Sequence, residues 1–137
     1  MRWLSAVRLD ARGMQRLLGA LEADIMEALW AGAERTAPEV YAALGQRVTL
    51  NTVMTVLMRL TDKGLVARTG TRRNYRFRSA VSRAEFVAEV TRQLAQGMVQ
   101  DFGDLAAVAF SEAVGAVPPA APGESRRGGG DREDGGR

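Results

Sequence analysis

The chain has 137 residues, a net charge of +3 and 46% hydrophobic residues, enough for one small domain with extensions and a modest core. It contains no Cys and no His, which excludes disulfides, thiolate or imidazole metal sites, Cys nucleophiles and His general bases. No apolar run approaches the roughly 20 residues that cross a bilayer, and no clustered carboxylate pair offers a catalytic or metal-binding constellation.

Residues 1–15 form a basic extension carrying Arg2, Arg8 and Arg12, without the continuous apolar stretch of a secretory signal. A cytoplasmic protein is therefore expected. The extension reads three ways: an arm that touches nucleic acid, a disordered segment, or an addition upstream of a true start at Met14. A first helix is expected over residues 17–31, where Leu18, Leu21, Ile25, Ala28 and Leu29 recur at three- and four-residue spacing. Gly32 ends it. A second helix opens at Thr36, because Thr36-Ala-Pro-Glu39 has the form of a capping box with Pro38 in the first turn. Val40, Tyr41 and Leu44 face inward, and Gly45 closes this helix.

The third helix starts near Thr49 or Asn51 and stops at Gly64. Val53, Val56, Leu57 and Leu60 make its apolar face, with Asn51, Thr52, Thr55 and Arg59 on the other side. Two short strands follow, residues 65–69 and 74–79. In the second, Tyr75 and Phe77 alternate with Arg76 and Arg78, so one face packs and the other is charged. The tip between them is Gly70-Thr-Arg-Arg-Asn74. Three helices followed by a two-stranded wing make a winged helix-turn-helix, expected over residues 16–80 within a mainly α protein.

Charge is concentrated on this part of the chain. Residues 59–83 hold eight cations against the single anion Asp62, a net +7 that leaves −4 for everything else. A phosphate-binding surface needs such clustering, although a solvated basic face without a partner would look the same.

Ser82-Arg-Ala-Glu85 is a second capping box, opening a helix with Phe86, Val87, Val90 and Leu94 on one side. Gly97 is expected to interrupt it, and a further helix covers about residues 98–114, with Phe102, Leu105, Val108 and Phe110. Residues 81–114 read as a helical dimerisation region with Phe86, Val90, Leu94, Phe102, Leu105 and Phe110 at the interface. Folding back onto the winged helix to complete a monomeric core is the alternative. Residues 115–137 are Gly/Pro-rich and charged, and are expected to be a disordered tail.

Several stretches together resemble the BlaI/MecI/CopY family of bacterial repressors, the penicillinase repressors. They are Leu18-Gly-Ala-Leu-Glu22, Met26-Glu-Ala-Leu-Trp30, Asn51-Thr-Val-Met-Thr-Val-Leu-Met-Arg-Leu60, Lys63-Gly-Leu65 and Tyr75-Arg-Phe77. The resemblance covers about residues 16–113. It implies a homodimeric repressor without catalytic activity or cofactor, bound to a dyad-symmetric double-stranded operator and associated with the nucleoid. The third helix would then lie in the major groove. The DNA-binding candidates are Thr49, Asn51, Thr52, Thr55, Arg59 and Lys63 on that helix and Arg72, Arg73 and Arg76 on the wing.

Arg59 reaches either a guanine edge or a phosphate, and Asn51 serves either as cap or as contact. Members of the beta-lactam branch are inactivated by a regulatory peptidase that cuts an Asn-Phe bond. The matching position here is Ala109-Phe110, without the Asn. The copper-responsive branch uses a cysteine motif that this chain lacks. The Gly/Pro-rich tail replaces the charged helix that usually follows. A winged-helix adaptor for an acidic protein partner, or a non-specific nucleic-acid binder, is the alternative function.

Overall fold

The computed structural model describes Trp3 and residues 6–117. A 3-10 turn, Gly13–Arg16, buries Met14 and precedes α1 (Ala20–Ala31). The first helix thus begins later than its periodicity suggests. Leu17 and Leu18 belong to the turn that leads into it, and Leu18 is nonetheless buried. The capping box at Thr36 forms in full, with the Thr36 N–H donating to Glu39 Oε1 at 2.8 Å and the Glu39 N–H to Thr36 Oγ1 at 3.3 Å. It opens α2 (Ala37–Ala43). The third helix, α3 (Leu50–Asp62), is capped by Thr49, whose hydroxyl accepts from the Thr52 N–H at 3.1 Å. Asn51 is therefore not the cap but an exposed residue of the first turn.

The sheet has three strands, not two. β2 (Val66–Thr69) and β3 (Arg76–Ser79) make the expected antiparallel hairpin. A two-residue strand, β1 (Arg35–Thr36), pairs antiparallel with the other edge of β3, so β3 is central and the order is β1-β3-β2. Phe77 of β3 points inward and is fully buried, while Arg76 and Arg78 point out. The turn back into β3 depends on Gly70: its φ is +90°, and a Cβ there would stand 2.4 Å from the Asn74 carbonyl oxygen.

Two more helices complete the five of the described residues: α4 (Arg83–Phe102) and α5 (Asp104–Ala116). The second capping box forms as well, Ser82 N–H to Glu85 Oε1 at 2.9 Å and Glu85 N–H to Ser82 Oγ at 3.0 Å. Gly97 does not interrupt α4. A helix-interior glycine costs only about 1 kcal/mol relative to Ala. The break falls at Gly103, with φ +63°. α5 takes in Gly115 and Ala116, so the tail does not start at Gly115. Residues 118–137 lie outside the described part.

Contacts divide the chain into two compact units that meet at Leu94 and Ala95. In the first, Ile25, Met26 and Leu29 of α1, Val40 of α2, Val53, Leu57 and Leu60 of α3, Leu65 and Phe77 enclose a core sealed by Phe86 and Val90. Each fully buried large side chain contributes about 1.5–3 kcal/mol. The Trp30 Nε1–H donates to the Val81 carbonyl at 2.9 Å, and the Phe86 ring sits between Trp3 and Trp30 at centroid distances of 5.6 and 5.9 Å. Phe86 and Val90, expected at a subunit interface, are thus committed to the chain's own core. For the same reason the compact unit runs past residue 80, the expected domain end. In the second unit Phe102 and Leu105 stand 58% and 80% exposed, and Met98, Val108 and Phe110 are exposed too.

Candidate nucleic-acid interface

The amphipathic division of α3 creates the site. Val53, Val56, Leu57 and Leu60 are buried against α1, α2 and the sheet, and this fixes the helix about its axis. Asn51, Thr52, Thr55 and Arg59 are thereby held exposed on the opposite stripe. Met54 and Met58 lie half-buried at the margins of the core, as packing residues. The Thr49 and Thr52 hydroxyls are 2.9 Å apart at the helix start, which leaves their remaining hydrogen-bonding capacity to an outside partner. Among the described residues Arg59 has no acidic partner.

Lys63 is placed differently from expectation. Its Nζ donates to Glu22 Oε2 of α1 at 2.9 Å, and the two side chains retain only 18% and 12% of their exposure. The cation neutralises Glu22, the one buried carboxylate among the described residues, and ties the end of α3 to α1. It is a structural tether, not a free charge for DNA.

The wing brings Arg72 and Arg73 to an exposed tip, where the Asn74 N–H donates to the Thr71 carbonyl at 2.8 Å. Arg68 on β2 lies with its guanidinium 4.4 Å from the centre of the Tyr75 ring. Though exposed, it braces the hairpin by this cation–π contact. Arg76, central in the sheet, pairs in register with Thr36 on one side and Thr69 on the other. Its charge reaches Glu39, whose carboxyl is held below its ordinary value first by the Thr36 N–H and further by Arg76 and Arg35. Part of the Arg76 field is spent within the molecule.

One feature escaped the sequence. A groove of about 700 Å³ runs beside α3, walled on one side by Asn51, Thr52, Thr55 and Arg59 and on the other by Trp3, Ala6 and Arg8 of the N-terminal segment. Leu17, Leu21 and Val56 lie along it. No periodicity in residues 1–15 marks Arg8 as part of a surface, and only tertiary packing brings it there. Among the described residues no group of His, Cys, Asp or Glu is placed to hold a metal ion, and no helix is long and apolar enough to cross a membrane.

A helix with a polar, cationic outer stripe, followed by a basic hairpin on a three-helix core, is the layout of winged-helix DNA readers. A profile of the penicillinase repressor family matches residues 18–116, most of the chain. The chain belongs to the penicillinase repressor family. This family consists of DNA-binding transcriptional regulators, not enzymes. Two solved structures share part of the trace. One is BpsR of Bordetella bronchiseptica, from work on regulation of its DNA binding by 6-hydroxynicotinic acid: 21% identity over 71% of this chain and 72% of that one, TM-score 0.46. The other is a cysteine-to-serine mutant of Escherichia coli MarR: 20% identity over 72% and 77%, TM-score 0.44. No curated protein matches the chain.

Proposed function

We propose that this penicillinase-repressor-family protein is a homodimeric repressor that sits on a dyad-symmetric operator and blocks transcription, in the cytoplasm with the chromosome. The observation that carries this reading is the exposed stripe Asn51, Thr52, Thr55 and Arg59 on a helix whose other face is locked in the core. Such a helix enters the major groove without rearrangement. Arg59 reaches a guanine edge bidentately, and the two threonines pack or donate at neighbouring positions. Arg72 and Arg73 at the wing tip take phosphates, which set register but carry no sequence information.

Homodimerisation rests on the second unit, whose exposed Phe102, Leu105 and Phe110 are more apolar surface than a solvated helix pair tolerates. Leu94 is half-buried and belongs at the margin of such an interface. Two subunits related by a dyad would put their α3 helices in successive major grooves, about 34–36 Å apart. A regulatory peptidase of the family's kind would meet Ala109-Phe110 inside α5.

Fluorescence anisotropy with duplexes from upstream of the protein's own gene, at several salt concentrations and against random competitor, tests the whole reading. Tight, competitor-resistant binding by two subunits per site is expected. Binding that random DNA matches at every salt concentration would overturn it.

A further inference from the structure

The groove beside α3 carries a cation, Arg8, that the repressor reading does not use. Its two rims carry Arg59 on the helix and Arg8 on the N-terminal segment, both exposed. Among the described residues neither has an acidic partner within ion-pair distance, and the one acid along the groove, Glu22, is already neutralised by Lys63. Beside that ion pair the lining between the rims is apolar, chiefly Leu17 and Leu21 with the small part of Val56 that its burial leaves. A cationic rim over an apolar lining suits a ligand that alternates anionic and hydrocarbon parts.

We propose that this groove holds the sugar-phosphate backbone of the DNA strand flanking α3, with the N-terminal segment as a clamp and Arg8 as its phosphate ligand. The inference rests on the repressor reading. The major groove is about 12 Å wide, scarcely more than a helix with its side chains. A helix lying in it therefore has a phosphate strand close on each flank. Arg8 takes a phosphate while Arg59 stays with the base edge, and Leu17 and Leu21 meet the deoxyribose carbons. The segment is anchored for this role. The Arg8 N–H donates to the Arg16 carbonyl at 2.9 Å, the Arg16 guanidinium returns a bond to the Leu9 carbonyl at 3.0 Å, Met14 is buried and Trp3 stacks by Phe86.

The test compares wild type, Arg8→Ala and Arg8→Lys on the upstream duplex and on a random duplex across a salt series. The Arg8 side chain is exposed, so neither substitution threatens folding, and circular dichroism confirms this. Loss of one phosphate contact flattens the slope of log K against log salt by about 0.9 on both duplexes. Arg8→Lys keeps the slope. If Arg8→Ala shows the wild-type slope, or binds DNA more tightly, the groove has another occupant and the clamp is wrong while the repressor reading stands. If wild type binds neither duplex, both fall.

Discussion

Replacing Lys63 by Met keeps the length and apolar stem of the side chain and removes only its charge. In the folded protein this strands the Glu22 carboxylate, on a residue 9% exposed, without its one cationic partner among the described residues. Two limits bracket the cost. An exposed ion pair contributes about 0–1 kcal/mol, whereas removing one partner of a buried pair costs about 3–5 kcal/mol. Side-chain exposures of 18% and 12% put this pair near the buried limit, so a loss of about 3 kcal/mol is expected.

For a unit of this size each kcal/mol shifts Tm by about 4–8 °C, giving a fall of about 12–24 °C by thermal circular dichroism. Glu22→Leu combined with Lys63→Met should recover most of it, because two apolar groups leave no orphaned charge. At temperatures where the variant is folded, its DNA-binding salt slope should equal that of wild type. A Tm fall below about 4 °C, the shift of a single kcal/mol, together with a flattened salt slope would refute the tether and return Lys63 to the DNA.

Four further outcomes are expected. Arg59→Ala should weaken operator binding by about 1–3 kcal/mol and blur preference at one base pair, while Arg72→Ala or Arg73→Ala weakens all sequences alike; equal loss on operator and random DNA would exclude Arg59 as a base reader. Phe86→Ala should cost about 3–5 kcal/mol in urea unfolding, since it empties the space between Trp3 and Trp30, and an interface role without core burial would instead show as a change in subunit association at constant stability. Phe102→Asp with Leu105→Asp should leave the first unit folded and yield monomers in sedimentation equilibrium. Glu39 has a depressed pKa, so the stability it contributes is present above the ordinary carboxylate value and lost as pH falls through the depressed one. Thermal melts of Glu39→Gln between about pH 6 and pH 3, values chosen to span the roughly 4.3 of a free Glu, should accordingly show a shallower decline than wild type.

What could be read from the sequence was whatever local chemistry decides. The Thr36 and Ser82 capping boxes, the inward faces of α2 and α3 and the basic hairpin all depend on residues close to each other along the chain, and all form as expected. What depended on distant partners was not legible. β1 is two residues long, too short for any alternation to show, and exists because β3 offers it an edge. Lys63 looks like any last-turn cation until Glu22, 41 positions away, is folded against it. Phe86 and Val90 have the spacing of an apolar helix face, and that spacing is the same whether the face meets a partner or the chain's own core. Gly97 is the expected break, yet a glycine's place in the sequence does not show its backbone angle, and the turn to positive φ falls at Gly103.

Thr36 belongs to two elements at once. It is the last residue of β1, opposite Arg76 of the central strand, and its hydroxyl caps α2. The hairpin is therefore stitched to the start of the second helix and does not hang from the third alone. A free two-stranded hairpin is marginal in water, and ordering it on contact would cost about 1–2 kcal/mol per residue in backbone entropy. Here that ordering is complete before any duplex arrives, so whatever Arg72 and Arg73 gain from phosphate reaches the binding constant undiminished by the cost of building the strands beneath them.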